Sequence, residues 1–128
     1  MSLEIQIKRD LDLARQHIAT VELTGSLDTA TAPELERGLM PLIDGKLRHL
    51  VFDLAGLKFI SSAGLRVFGI ARKRMNEIGG QLAFVNMQPQ IEEVFEIIKA
   101  LPGLDVFKNM AEMDSYLSAR QLRDRDDD

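Results

Sequence analysis

The feature that most constrains this chain is a change in the spacing of its apolar residues. Leu3, Ile5 and Ile7 alternate with polar residues, the period-two pattern of a half-buried strand. Over 32–43 the apolar residues recur every three or four positions, which places them on one face of a helix. The two patterns alternate from there on. Because strands that alternate with helices form βαβ units, the chain predicts an α/β fold with a mostly parallel sheet, to which an opening hairpin gives mixed character.

The positions of the elements follow from these patterns. We expect strands over 3–8, 17–24, 50–54, 82–85 and 106–107, and helices over 32–43, 65–78, 89–98 and 110–117. The strand at 50–54 is nearly continuous in apolar residues, which indicates cover on both faces. Thr31 and Glu34 fit a capping box at the first helix, and Gly79-Gly80 ends the second. The expected organisation is one domain over 1–119 and a charged, disordered tail over 120–128.

The composition removes most catalytic chemistry. The chain of 128 residues has no Cys, which excludes disulfides, thiolate metal sites and thiol nucleophiles. Its two histidines, His17 and His49, have no second ligand at metal-binding spacing. The sequence contains neither a Gly-x-Ser-x-Gly elbow nor a glycine-rich phosphate loop. We therefore expect no metal site, no cofactor and no enzymatic activity.

The charge and hydropathy indicate where the protein works. A net charge of −4 argues against a nucleic-acid binder, which normally presents a basic face. The stretch 78–91 lacks charged residues but is shorter than the roughly 20 apolar residues of a membrane span. Met1–Asp10 alternates apolar with charged residues, unlike a signal segment. The expectation is a cytoplasmic protein without direct membrane insertion.

Two hydroxyl groups stand where the buried strand leads into the second helix. Ser61 and Ser62 precede Ala63-Gly64, and either serine can be a plain N-cap. The same position also suits a phosphate, because a helix N-terminus offers free N–H groups and a partial positive charge. Phosphorylation adds about −1.5 to −2 charges at such a site. This junction is therefore a candidate switch as well as a candidate cap.

Three stretches carry a resemblance to a known family. Gly25-Ser26-Leu27-Asp28, the junction over 52–65, and Gly79-Gly80 before a strand resemble the STAS-domain family, specifically the stand-alone bacterial anti-sigma-factor antagonists. The similarity extends over about 3–117. It implies a single STAS-like α/β domain, with a four-to-five-stranded mixed β-sheet and about four helices packed against it.

The resemblance also implies a mechanism, namely partner switching. In that family the unphosphorylated antagonist binds an anti-sigma factor that is a serine kinase of the histidine-kinase ATPase fold. Phosphorylation releases the antagonist, and a PP2C-type phosphatase resets it. The family's phosphoacceptor aligns with Ser62. Many members have Asp where this chain has Ser61, which makes Ser61 the second candidate.

The surface that binds the partner is expected to combine the turn before the first helix with the start of the second. Asp28 matches the family's acidic residue at that turn. The expected partner-binding residues are Asp28, Thr29, Thr31, Ser61, Ser62, Ala63, Gly64, Leu65 and Arg66.

An alternative function stays open at this stage. STAS domains also serve as scaffolds or accessory subunits of signalling assemblies and transporter ATPases, without a phosphorylation switch. That function predicts phosphorylation-independent binding through Phe95, Leu101 and their neighbours near the third helix. A third possibility, a nucleotide-binding domain, is disfavoured because the sequence has no phosphate loop.

Overall fold

The computed structural model describes residues 2–100, 114, 115, 117–119 and 121. In chain order the elements are β1 (Leu3–Leu11), β2 (His17–Leu27), α1 (Ala32–Leu39), β3 (Leu47–Ile60), α2 (Ser62–Glu77), β4 (Gln81–Val85) and α3 (Pro89–Ala100). The described residues from 114 to 121 are helical and are called the C-terminal helical segment. The strand expected at 106–107 and the expected start of the last helix lie outside the described residues.

The sheet is mixed and mostly parallel, as the sequence predicts. Its strand order is β1-β2-β3-β4. β1 and β2 form an antiparallel hairpin, whereas β2 pairs with β3 and β3 with β4 in parallel. The parallel pairs require helical crossovers, which α1 and α2 supply. The described strands and helices match the α/β architecture expected from the resemblance.

The strand β3 differs from its predicted form in length and in cover. It runs to Ile60, past the connection expected after Leu54, because β2 accompanies it through two register shifts between Glu22 and Ser26. Leu54 and Ile60 are fully buried, whereas Val51 and Asp53 on the opposite face are partly exposed. The prediction of cover on both faces is therefore wrong for the part of the chain that the structure describes.

Four phenylalanines join the sheet to the helices. Phe52 of β3 lies 4.8 Å from Phe68 of α2 and 5.5 Å from Phe84 of β4, between ring centroids. Phe84 in turn lies 5.0 Å from Phe95 of α3. Such offset and edge-on arrangements are favourable for aromatic rings. The cluster packs α2 and α3 against the sheet.

The ends of the first two helices show which capping predictions hold. α1 ends at Leu39 rather than at Ile43, since Pro41 has no N–H with which to continue the helical hydrogen bonding. α2 ends as predicted. Gly79 has a positive φ of 74°, and the N–H of Gly80 donates to the Met75 carbonyl at 2.8 Å, the Schellman arrangement.

The C-terminal helical segment packs into the core. Leu117 and Gln121 are both fully buried. The expected tail over 120–128 includes Gln121, but the Gln121 side chain bonds the end of β3, so this residue belongs to the folded domain. The rest of that expected tail lies outside the described residues.

Candidate functional site

The register of β2 and β3 brings the two candidate junctions together. Leu27, the last residue of β2, pairs with Ile60, the last residue of β3. The Ser61 N–H donates to the Leu27 carbonyl at 2.9 Å. Since both strands run in the same direction, Asp28 and Ser61 leave the sheet side by side at its carboxyl edge. The site residues that the sequence places 33 positions apart therefore lie on one edge.

The turn that follows β2 is held by Asp28 and Thr31. One carboxylate oxygen of Asp28, Oδ1, accepts hydrogen bonds from the N–H groups of Ala30 and Thr31, both at 3.0 Å. The Thr31 hydroxyl accepts from the Asp28 N–H at 2.9 Å and donates to the Ser26 carbonyl at 2.8 Å. Thr31 makes no side-chain cap on α1, so the capping-box prediction is wrong. Its hydroxyl closes the turn instead.

Ser61 is the N-cap of α2. Its backbone is extended, with φ −101° and ψ 175°, and its Oγ accepts a hydrogen bond from the Gly64 N–H at 3.4 Å. The Leu65 N–H donates to the Ser61 carbonyl at 3.0 Å, which begins the helical hydrogen bonding. The cap expected at one of the two serines is thus made by Ser61.

Ser62 is the first residue of α2 and is covered in this structure. Only 3% of the residue is exposed. Its backbone N–H donates to a carboxylate oxygen of Asp114, Oδ1, at 2.7 Å. An anionic side chain from the C-terminal helical segment therefore lies at the N-terminus of α2, where the helix dipole favours negative charge.

Gly64 allows the first turn of α2 to approach the strand ends. A Cβ built at Gly64 would lie 2.7 Å from Leu27 Cγ and 2.9 Å from Ile60 Cγ1. The glycine is therefore needed for the close packing between α2 and the two strands.

Only some of the expected partner-binding residues are accessible at this edge. Thr29 and Arg66 are exposed, and Asp28, Ala63 and Leu65 are partly exposed, whereas the other predicted members are buried. The accessible side chains include an acidic group on the turn after β2 and a basic group on the first turns of α2. The accessible part of this edge thus carries charges of both signs.

Two residues at the site were missed at the sequence level, Asp114 and Gln121. Together with Leu117 they are spaced by three and four positions, which places all three on one helical face. Asp114 bonds Ser62, and Gln121 bonds Ile60. The available signal was the presence of two polar residues on the same face as a core leucine.

Two further classes of feature were searched for in the described residues. They contain no group of three or more His, Asp or Glu side chains arranged to hold a metal ion. None of the helices there has the length and apolar character needed to cross a membrane.

Comparison with known families identifies the domain. The STAS domain profile matches residues 12–113. The chain belongs to the STAS-domain family. Its parallel β2 and β3, with a serine-rich helix start at their carboxyl edge, are thus the central part of a STAS domain.

Two curated relatives of this STAS domain are named as antagonists of anti-sigma factors. A candidate anti-sigma factor antagonist of Bordetella bronchiseptica, BtrV, is 40% identical over 75 residues, which are 59% of this chain and 65% of BtrV. The anti-sigma-B factor antagonist of Staphylococcus aureus is 31% identical over 77 residues, which are 60% of this chain and 71% of that protein. The aligned part thus spans just under two thirds of BtrV.

A solved structure has the same fold. The unphosphorylated form of the Bacillus anti-sigma factor antagonist SpoIIAA superposes with a TM-score of 0.58 at 16% identity, over 72% of this chain and 83% of SpoIIAA. SpoIIAA has also been solved in a phosphorylated form. The similarity establishes the fold of this STAS domain.

Proposed function

We propose that this STAS domain is an anti-sigma-factor antagonist that acts by partner switching. The observation that carries the proposal is the pairing of Leu27 with Ile60, which places the Asp28 turn beside the Ser61–Ser62 helix start. This arrangement forms one binding edge with a phosphorylatable group within it. The names of the two curated relatives support the same role.

Ser62 is the proposed phosphoacceptor, with Ser61 as the second candidate. Ser61 Oγ makes the cap of α2, so a phosphate on that oxygen would disturb the start of the helix. Ser62 lies one position inside the helix, and its modification leaves the Ser61 cap in place. The N–H groups of the first turn then lie close enough to stabilise the added negative charge.

The proposed switch works through charge. In the unphosphorylated form the edge presents Asp28 together with Arg66. A phosphate on Ser62 adds about −1.5 to −2 charges to this edge and makes it strongly acidic. Like charges across an interface cost several kcal/mol, so a partner fitted to the unmodified edge is released.

The proposed partners follow from this cycle. The unphosphorylated domain binds an anti-sigma factor that is a serine kinase of the histidine-kinase ATPase fold, and a PP2C-type phosphatase removes the phosphate. The domain itself acts by being bound and modified and is not an enzyme. It works in the cytoplasm, where sigma factors act on transcription.

The experiment that tests the function is a pulldown from the native host, with mass spectrometry of the bait. The variants are Ser62→Ala, Ser62→Asp and, as a control in the middle of β2, Thr20→Ala. We expect Ser62→Ala to bind the kinase without being phosphorylated. We expect Ser62→Asp to bind the kinase with an affinity lower by about tenfold or more. Undiminished phosphate on Ser62→Ala would exclude Ser62 as the acceptor.

One observation favours the alternative function, a phosphorylation-independent scaffold or transporter subunit. Ser62 is only 3% exposed, so a kinase cannot reach its hydroxyl in this conformation. The same pulldown separates the functions. Capture of a transporter ATPase or a large signalling complex, equally by the parent protein and by Ser62→Asp, supports the alternative.

A further inference from the structure

The C-terminal helical segment contacts the candidate switch at three points of one helical face. Asp114 bonds the Ser62 N–H at 2.7 Å, and Leu117 is fully buried in the core. Gln121 bonds both the N–H and the C=O of Ile60, at 2.8 and 2.7 Å. Residues at spacings of three and four share a helical face, so the three contacts belong to one face of the segment. The segment is therefore positioned as a cover over residues 60–62.

The Asp114 carboxylate lies where a phosphate on Ser62 would be stabilised. It accepts its hydrogen bond from the first N–H of a 16-residue helix. The free N–H groups of a helix N-terminus are confined to its first turn, and the dipole effect falls off within that turn. A phosphate on Ser62 would therefore compete with the Asp114 carboxylate for the same donors. The two anions would also repel each other at short range.

We propose that the C-terminal helical segment is an internal lock on the phosphoacceptor, with the Asp114 carboxylate occupying the anion position of α2. The docked segment buries Ser62 and opposes phosphorylation, and phosphate on Ser62 displaces the segment. This inference rests on the proposed function, since it concerns the regulation of the same serine. It also explains how a serine buried at rest can act as an acceptor.

The lock makes phosphorylation depend on a partner. A kinase reaches Ser62 only in the fraction of molecules whose segment has opened. A partner that binds the open form better than the docked form raises that fraction and so promotes modification. The phosphorylated protein then differs from the unmodified one in both the charge of the edge and the position of the C-terminal segment.

The first test measures the lock without any kinase. Hydrogen–deuterium exchange of the full chain is followed in peptides that contain Ser62 and in peptides that cover 114–121. Asp114→Ala removes a hydrogen bond to a charged group, and we expect exchange to become about 10- to 100-fold faster in both regions. Asp10→Ala removes one exposed carboxylate from β1 and serves as the matched control, with no change expected at either region. Unchanged protection in Asp114→Ala would overturn the proposal.

The second test places phosphoserine at position 62 during translation. We expect the phosphorylated chain to lose protection over 114–121, and Asp114→Asn to restore it. The neutral amide still accepts from the Ser62 N–H and can donate to a phosphate oxygen. Retained protection in the phosphorylated chain contradicts the lock, as does an equal loss with Asp and Asn at position 114, since displacement would then not depend on the carboxylate.

These outcomes are independent of the proposed function. If the native host phosphorylates Ser62 but the segment stays docked in the phosphoserine chain, the proposed function is supported and the proposed lock is wrong. If phosphoserine releases the segment but the host never modifies Ser62, the lock exists as a physical property and the proposed function fails.

Discussion

The backbone N–H and C=O of Ile60 are both hydrogen-bonded to the side-chain amide of Gln121. The N–H donates to Gln121 Oε1 at 2.8 Å, and Gln121 Nε2 donates to the Ile60 carbonyl at 2.7 Å. A neighbouring strand would satisfy the same two groups. Because Ile60 and Gln121 are both fully buried, water cannot replace these bonds in the folded protein. The end of β3 is therefore completed by a residue far away in the sequence.

Replacing Gln121 by Met should destabilise the domain. The two side chains are similar in length, but Met leaves the N–H and C=O of Ile60 without partners, at a cost of about 2–4 kcal/mol. The measurement is the free energy of unfolding in urea. Gln6→Met on the exposed face of β1 is the control and should change it by less than about 0.5 kcal/mol. Equal urea concentrations at the midpoint of unfolding for the two variants would contradict the role assigned to Gln121.

Two glycines of α2 should respond in opposite directions to alanine. At Gly64 the new Cβ would lie 2.7 Å from Leu27 Cγ, inside a packed region, and we expect a loss of about 1–2 kcal/mol. At Gly69 no atom lies within 4 Å of the new Cβ, so the gain in helix propensity should stabilise by about 0.5–1 kcal/mol. Thermal unfolding of the two variants measures both effects. A stabilised Gly64→Ala would contradict the close packing of α2 on the strand ends.

The role of Thr31 can be separated from contact with a partner. Thr31→Val keeps the shape but leaves the Asp28 N–H and the Ser26 carbonyl without the hydroxyl, at a cost of about 1–3 kcal/mol. Thr31→Ser keeps the hydroxyl and should lose little stability. We expect the free energy of unfolding and the affinity for the partner to fall in the same order, little in Thr31→Ser and more in Thr31→Val. Loss of binding in Thr31→Ser at unchanged stability would indicate direct contact by the Thr31 methyl group.

Asp44 should contribute to the acid dependence of stability. The backbone N–H groups of Lys46 and Leu47 bond its carboxylate and hold its pKa below the ordinary value of 3.8. A carboxyl whose pKa is lower in the folded state contributes stability that is present above pH 3.8 and is lost as the pH falls through the lower folded value. Asp44→Asn should make the free energy of unfolding depend less on pH in this range. Its exposed carboxylate makes the effect small, and a steeper profile would contradict the assignment.

The local patterns of the chain predict much of the fold. The helix α2 was expected from its apolar spacing, its serine start and its Gly79-Gly80 end, and the structure confirms all three features. The order of strands and helices follows likewise, since each element carries its own period of apolar residues. The family was recognisable from the same short stretches. Structure that is encoded locally can therefore be predicted from the sequence.

The rest depends on contacts between distant residues, which local patterns do not contain. Ile60 and Gln121 are 61 positions apart, and Ser62 and Asp114 are 52 apart. The length of β3 was missed because register shifts beside Gly25 break the period-two pattern that identifies a strand. The capping prediction at Thr31 failed for a related reason, since its hydroxyl bonds the preceding turn.

The second edge of β3 affects how the protein behaves at high concentration. Within the part of the chain that the structure describes, β4 pairs with β3 only as far as Asp53, and an unpaired strand edge is a template on which other chains can add. Gln88 donates to the Ala55 carbonyl at 2.7 Å, and Gln90 to the Lys58 carbonyl at 3.4 Å. These amides occupy acceptors that an incoming strand would need. These side-chain hydrogen bonds therefore oppose edge-to-edge self-association along this part of β3.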